Sequence, residues 1–426
     1  MSDIKRLLEA APGLDGWRIT EKATASYELF FVHKKLETVR ATDTVDTSVT
    51  VYIDHDGKKG DSTFSCYQSM TDAEIEKKIA DAARRARLVF NEPYELPEAG
   101  EMSVELPGNL GDSEPRELGC LIAEAVFAAD TVPGGSINAC EIFLYRDTLR
   151  VRNSRGVDKT QRMRRVMIEA IPTYTTEKES VELYEDHRFT DFDPEKVTAE
   201  IAARMREVRD RSLAVKPRTP LTVNVLLRPH EIRELLCELA DDADYATVYS
   251  HGNLHAVGDD WQAGGDGDRL TFTMKSVIPG SERSAYFDAD GTTLRDTRIL
   301  KDGVVENNFG SSRYGQYLGV KEPSGALPFC ISAEAGTLRE EEIAEAPYIE
   351  CASLSGLQLD LYNDYIGGEI RLAYYFDGEK TVPVTGITMS AKLSDVLAHL
   401  RLSDTLCVEG AYEGPCRLLM KDVAVL

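Results

Sequence analysis

The chain has 426 residues, 42% of them apolar and 29% charged, and a net charge of −24. This length exceeds one ordinary core and this composition is that of a soluble globular protein, so two or three packed units are expected. The charge argues against nucleic-acid binding outside a local basic patch, and the lack of any run of 18 apolar residues argues against a membrane-spanning helix.

The N-terminal MSDIKRLLEAAPGL lacks the apolar middle and cleavage site of a signal peptide, so the expected location is cytoplasmic. Residues 26–67, beginning SYELFF, alternate in a strand-like period over three or four segments and are punctuated by Asp56-Gly57, a hairpin-type turn. In TDAEIEKKIADAARRARLVF, Thr71 and Glu74 form a capping box, and Ile75, Ile79, Ala82, Ala83 and Ala86 mark one helical stripe. Residues 1–100 thus form an N-terminal α+β domain. The Pro- and Glu-rich stretch 91–109 is expected to be a linker or surface strap.

A middle domain is expected over 110–215. A helix with Pro115 in its first turn opens it, strands follow near 139–151 and 161–171, and a long helix capped by Asp193 with Pro194 behind it closes it. The arginines of residues 146–166 alternate along these strands, as on the solvated face of a sheet rather than a nucleic-acid surface. KPRTP, 216–220, marks a boundary. Residues 220–426 are strand-rich, with antiparallel hairpins at Asp302-Gly303 and at 377–378, and helices over 229–243 and near 394–401. AGGDGD, 263–268, lacks the frame of a phosphate cradle. Eight cysteines (66, 120, 140, 237, 330, 351, 407 and 416) without a C-x-x-C read as free thiols in a reducing compartment, not as a zinc finger.

The chemistry concentrates in LLRPHEIRELLCELADDADYATVYSHGNLH, 226–255. His230-Glu231 opens a metallopeptidase-like helix, but position 234 is glutamate and position 235 leucine, so no second histidine follows at either zinc spacing. Ile232, Leu235, Leu236, Leu239, Ala240 and Ala243 form its apolar stripe, which sets His230, Glu234, Cys237 and Asp241 on the opposite, solvent-facing side. His251 and His255 flank Gly252-Asn253, a turn rather than a helix, and are expected to be ordinary loop histidines.

SAYFDADGTTLRDTRILKDGVVENNFGSSRYGQYLG, 284–319, resembles a passage of the TldD/PmbA (TldE) family. The segment 359–400 resembles its closing pattern, VRNSRGVD its Asn-Ser-x-Gly strand turn, and residues 25–88 its first domain. The family is also known as modulator of DNA gyrase, a label that fits poorly with direct DNA contact by so acidic a chain. The resemblance implies a paired assembly. TldD-type subunits carry zinc on a His-Glu-x-x-x-His helix with a cysteine near the C-terminus, PmbA/TldE-type subunits lack the site, and together they act on unstructured peptides. Aligned on Leu235-Leu236, the first histidine becomes Cys237, the glutamate stays as Glu238, and the second histidine becomes Asp242. The family cysteine falls near Cys407, with Cys416 as the alternative.

The expected fold is therefore α+β: an N-terminal antiparallel sheet with helices, a middle α/β section and a strand-rich, metallopeptidase-like C-terminal domain of the TldD/PmbA type. The expected function is that of a metal-free TldE-like subunit in proteolysis and peptide maturation. Its partners would be a TldD-type metallopeptidase or further copies of itself, and unfolded peptide, with no direct nucleic acid, no membrane and no cofactor. One alternative is a self-sufficient zinc peptidase with Cys237, Asp242 and Cys407 as ligands and Glu238 as base. Two anionic ligands and a thiolate would over-neutralise the ion and weaken it as a Lewis acid. The other alternative is a stand-alone peptide-binding scaffold.

Overall fold

The computed structural model describes residues 3–111, 113–343 and 347–426. A short helix α1 (Ile4–Ala10) precedes three long strands, β1 (Gly16–Val32), β2 (Lys35–His55) and β3 (Lys58–Cys66). Both connections are tight. His33-Lys34 and the expected Asp56-Gly57 all have positive φ, the hairpin geometry whose twist matches that of the flanking strands. Helix α2 (Asp72–Ala86) begins at the capping box read from the sequence, with the Thr71 hydroxyl accepting from the Glu74 N–H and the Glu74 carboxylate from the Thr71 N–H. Its stripe of Ile75, Ile79, Ala82, Ala83 and Ala86 is buried.

The stretch 91–109 is more than a strap. Its residues Gly100–Glu105 form β4, which pairs in parallel with a later strand. Then follow α3 (Pro115–Ala128), β5 (Gly135–Asn153), β6 (Val157–Thr175), β7 (Ser180–Glu182), β8 (Glu185–Phe189) and α4 (Pro194–Leu213). Asp193 caps α4 by accepting from the N–H groups of Glu195 and Lys196. All eight strands join one sheet of order β3-β2-β1-β5-β6-β4, with β7 and β8 on β6. Strands from residues 1–100 and from 110–215 therefore share a single sheet. Helices α3 and α4 cover one face, where Ile122, Val126, Val197, Ile201 and Met205 pack with Leu29, Ile142, Val166 and Ile168. Helix α2 covers the far end over Val49, Val51 and Phe64.

The arginines of 146–166 are exposed or half-exposed, as expected, and several are paired with carboxylates. Arg150 forks onto Asp158 at 2.9 and 2.8 Å, Arg152 reaches Glu21 at 2.8 Å, and Arg165 reaches Asp147 at 2.6 Å. On the same stretch of β6, Lys159 and Gln161 are buried under the turn at 287–293. Lys159 Nζ donates to the Gly291 carbonyl at 2.7 Å, and Gln161 Oε1 accepts the Tyr286 N–H at 2.9 Å. The run serves as a docking face for the C-terminal half.

That half comprises β9 (Leu221–Leu227), α5 (Pro229–Asp242), α6 (Tyr245–Tyr249), β10 (Phe272–Lys275), β11 (Thr297–Lys301), β12 (Val304–Val305), α7 (Ser312–Tyr317), β13 (Cys330–Ala333), α8 (Glu340–Ile343), β14 (Tyr348–Leu354), β15 (Gln358–Asp360), β16 (Tyr365–Phe376), β17 (Thr381–Val384), β18 (Ile387–Lys392), α9 (Leu393–His399), β19 (Arg401–Leu402), β20 (Leu406–Glu409), β21 (Tyr412–Pro415) and β22 (Leu418–Val425). They form two sheets, of order β12-β11-β10-β13-β21-β20 and β14-β9-β22-β18-β16-β15, with β17 on β16 and β19 on β22. Antiparallel pairs predominate, as the hairpin turns implied, and the β9–β14 and β13–β21 pairs are parallel. The two sheets share one core with α5. Ile232, Leu235, Leu236 and Leu239 join Val225 of β9, Phe272 and Met274 of β10, Ile331 of β13 and Tyr412 of β21. The chain is α+β throughout.

Leu235 is 0% exposed in this core. Leu235→Ala should cost about 2–5 kcal/mol of unfolding free energy, read as a lower urea midpoint at unchanged slope.

Candidate functional site

Helix α5 positions every side chain singled out between 229 and 242. Pro229 sits at its first turn, where no intrahelical N–H is needed, and the buried stripe fixes its rotation. On the opposite side His230 and Glu234, one turn apart, approach to 3.4 Å, and this contact raises the His230 pKa. Glu231 is instead 8% exposed, and burial raises its carboxyl above the usual range. Cys237 is half-buried, and burial pushes its thiol up to about 11, so it stays protonated near neutrality. Burial, and then the neighbouring Asp360, raise Glu238. Asp241 is pushed up to about 6 by burial, then by Glu238 and Asp244.

Asp242 has another task. It is 5% exposed, and its two carboxylate oxygens accept the N–H groups of Leu254 at 2.7 Å and His255 at 3.0 Å. The His255 Nδ1 lies 3.5 Å from the same carboxylate, and the ring stacks on Trp261 at 3.5 Å. The carboxylate thus ties the loop after α6 to the end of α5. His251 occupies a turn at φ 59° and is exposed, while His255 faces Asp242 and Trp261; the His-x-x-x-His lies on a loop, as its Gly-Asn centre implied.

Cys407 lies on β20, part of an antiparallel hairpin with β21, where it pairs in register with Gly414. Burial, and then Cys416, push the Cys407 thiol up to about 12. The four candidates therefore have separate settings: Cys237 and Glu238 on the body of α5, Asp242 in a loop anchor at its end, and Cys407 on the β20–β21 hairpin. Among the described residues no three His, Cys, Asp or Glu side chains gather as a ligand set. Zinc requires deprotonated ligands with free lone pairs. Donors in separate settings, with one carboxylate already engaged by two backbone N–H groups, do not fit it.

A neighbouring arrangement had no sequence signal beyond the tyrosines of SRYGQY. Arg313 of α7 lies 5.2, 5.6 and 5.7 Å from the ring centres of Tyr94, Tyr314 and Tyr317, and Tyr249 of α6 packs 5.1 Å from Tyr317. The Gln316 side chain copies a backbone group. It accepts the Glu95 N–H at 2.8 Å and donates to the Glu95 carbonyl at 2.9 Å. The strap 91–99 is thereby clamped to α7, next to the loop that Asp242 anchors.

Residues 266–425 match the family model described as the PmbA/TldA metallopeptidase C-terminal domain. Solved structures share the fold over the whole chain. TldE from Thermococcus kodakarensis has a TM-score of 0.79 at 14% identity, covering 100% of both chains. A protein described as a modulator of a DNA gyrase, from Thermotoga maritima, has a TM-score of 0.77 at 15% identity with 99% of each chain covered. One described likewise from Bacteroides thetaiotaomicron has a TM-score of 0.79 at 15% identity, covering 100% of this chain and 99% of that one. No curated protein matches the sequence. Among the described residues no helix is long and apolar enough to cross a membrane.

Two outcomes follow from this geometry. Asp242→Ala should lower unfolding free energy by about 1–3 kcal/mol and speed amide exchange at Leu254 and His255, because both N–H groups lose their acceptor. Asp241→Asn should act through charge. The folded chain holds the Asp241 proton more tightly than the unfolded chain, so this group favours folding most at low pH and less as pH rises through about 6. The variant should therefore be more stable than the parent at pH 7, with the advantage fading towards pH 4 in urea titrations.

Proposed function

We propose, from the match of residues 266–425 to the PmbA/TldA metallopeptidase C-terminal domain and the fold shared with TldE, that the chain is the metal-free, TldE-like partner of a TldD-type metallopeptidase acting on unstructured peptides. One observation carries the reading. Where a zinc-binding subunit of this family places its second histidine, this chain has Asp242, whose carboxylate is already engaged by Leu254 and His255. The first histidine position is the protonated thiol of Cys237. Glu238 thus has no metal-bound water to activate, and hydrolysis is assigned to the partner.

Open strand edges support the peptide-binding role. Strand β3 pairs with residues 47–55 of β2 only, so from Lys35 to Asp46 the outer edge of β2 has no neighbouring strand among the described residues, and this stretch is exposed. Strand β20 ends the second sheet with Leu406 and Val408 more than half exposed. Backbone pairing at such edges binds extended chains with little demand on sequence.

The test is cleavage of an unfolded peptide by this chain alone, by a TldD-type subunit alone and by both, with zinc quantified in each sample. Activity is expected only where the TldD-type subunit is present, with a gain when the two are mixed. Zinc-dependent cleavage by this chain alone, abolished in Cys237→Ala, would overturn the reading. Failure to recover any TldD-type chain in a native pull-down would favour the scaffold alternative.

A further inference from the structure

The loop after α6 and the β15–β16 turn meet at the end of α5. The Tyr362 hydroxyl of the turn donates to the Gly252 carbonyl, and the Gly252 N–H folds the loop back onto α6 by donating to the Thr247 carbonyl at 2.9 Å. Asp242 holds the same loop to the helix through the N–H groups of Leu254 and His255. The junction leaves three large apolar side chains in solvent: Tyr362 is 70% exposed, Leu254 44% and Tyr249 37%. They form one group rather than scattered surface apolarity, because these hydrogen bonds join the segments that carry them. Asp241 lies one residue before the Asp242 anchor, Glu238 one turn earlier on the same helix face, and Asp360 two residues before Tyr362. Among the described residues none of these three carboxylates has an ion pair, whereas Glu234 and Asp242 of the same helix face His230 and His255.

We infer that this junction docks unfolded peptide segments in which lysine or arginine stands beside apolar or aromatic residues. The inference rests on the peptide-binding role proposed above and names a substrate class for it. The two tyrosine rings and Leu254 take apolar side chains and the methylene stems of lysine and arginine, while Glu238, Asp241 and Asp360 take the charged heads. An acidic segment brings further negative charge against three carboxylates that no cation offsets. The sign of the peptide's charge therefore sets the selection, and salt weakens it.

The test reads binding alone, by fluorescence anisotropy, with the full chain and two labelled unfolded peptides of equal length. One carries lysines among leucines and tyrosines, and the other has glutamate in place of each lysine. The lysine peptide should bind about tenfold more tightly at low salt, as several exposed charge contacts together supply, and the difference should shrink as salt rises. Glu238→Gln combined with Asp241→Asn should remove most of that difference, and Leu254→Ser should weaken the lysine peptide, with far-UV circular dichroism unchanged in both. Glu117→Gln with Glu124→Gln, the same charge change at exposed positions of α3, should leave the difference intact. Equal affinity for the two peptides, or an equal loss in the α3 variant, would show that the junction does not select by charge. Either result would overturn the inference while leaving the peptide-binding role in place, whereas binding of neither peptide would remove both.

Discussion

The rotation of α5 about its own axis is the constraint on which the candidate site depends. Its stripe of Ile232, Leu235, Leu236 and Leu239 enters a core formed by two sheets at once, so the helix has no freedom to turn. Every polar side chain of the helix is then assigned a neighbour by its sequence position alone. His230 meets Glu234, Glu231 is driven into the interior near Cys351, Cys237 is half-covered, and Asp242 emerges where a returning loop needs an acceptor. The Asp242 carboxylate holds backbone of another segment in place.

Docking between the halves depends on hydrogen bonds among buried polar groups. The turn at 287–293 is organised by Asp288, 8% exposed, which accepts the N–H groups of Asp290, Thr292 and Ala326. That turn then offers carbonyls to Lys159 and Gln161 of β6. On another side, Arg228, immediately before α5, reaches Glu207 of α4 at 2.7 Å and Glu350 of β14 at 3.1 Å. Breaking one member of such a network strands a buried charge, a far larger penalty than losing a surface pair, so the relative placement of the halves is rigidly specified.

The charge of −24 is distributed to match. Some cations are paired within the fold, as with Arg152 on Glu21 and Arg228 on Glu207, whereas Glu238 lies beside Asp360 and Asp241 beside Glu238 near α5. Burial first, and then these neighbouring carboxylates, raise the carboxyl groups of Glu238 and Asp241.

Local physics was readable from residue order. The Thr71–Glu74 box, the Asp193 cap, the Asp56-Gly57 and Asp302-Gly303 turns and the α5 stripe each depend on residues a few positions apart, and each is present. The Gly252-Asn253 turn likewise foretold that His251 and His255 would sit on a loop. What sequence could not supply were encounters between residues far apart in the chain. Strand β4 forms only because β6, more than 50 residues later, offers an edge, and the parallel partners β9 and β14 lie more than 100 residues apart. The role of Asp242 as a loop anchor and the tyrosines around Arg313 likewise come from packing. Residue order determined the elements and their caps. Tertiary structure decided what the polar atoms of α5 bond to, because an acceptor's partner is set by which backbone is folded against it.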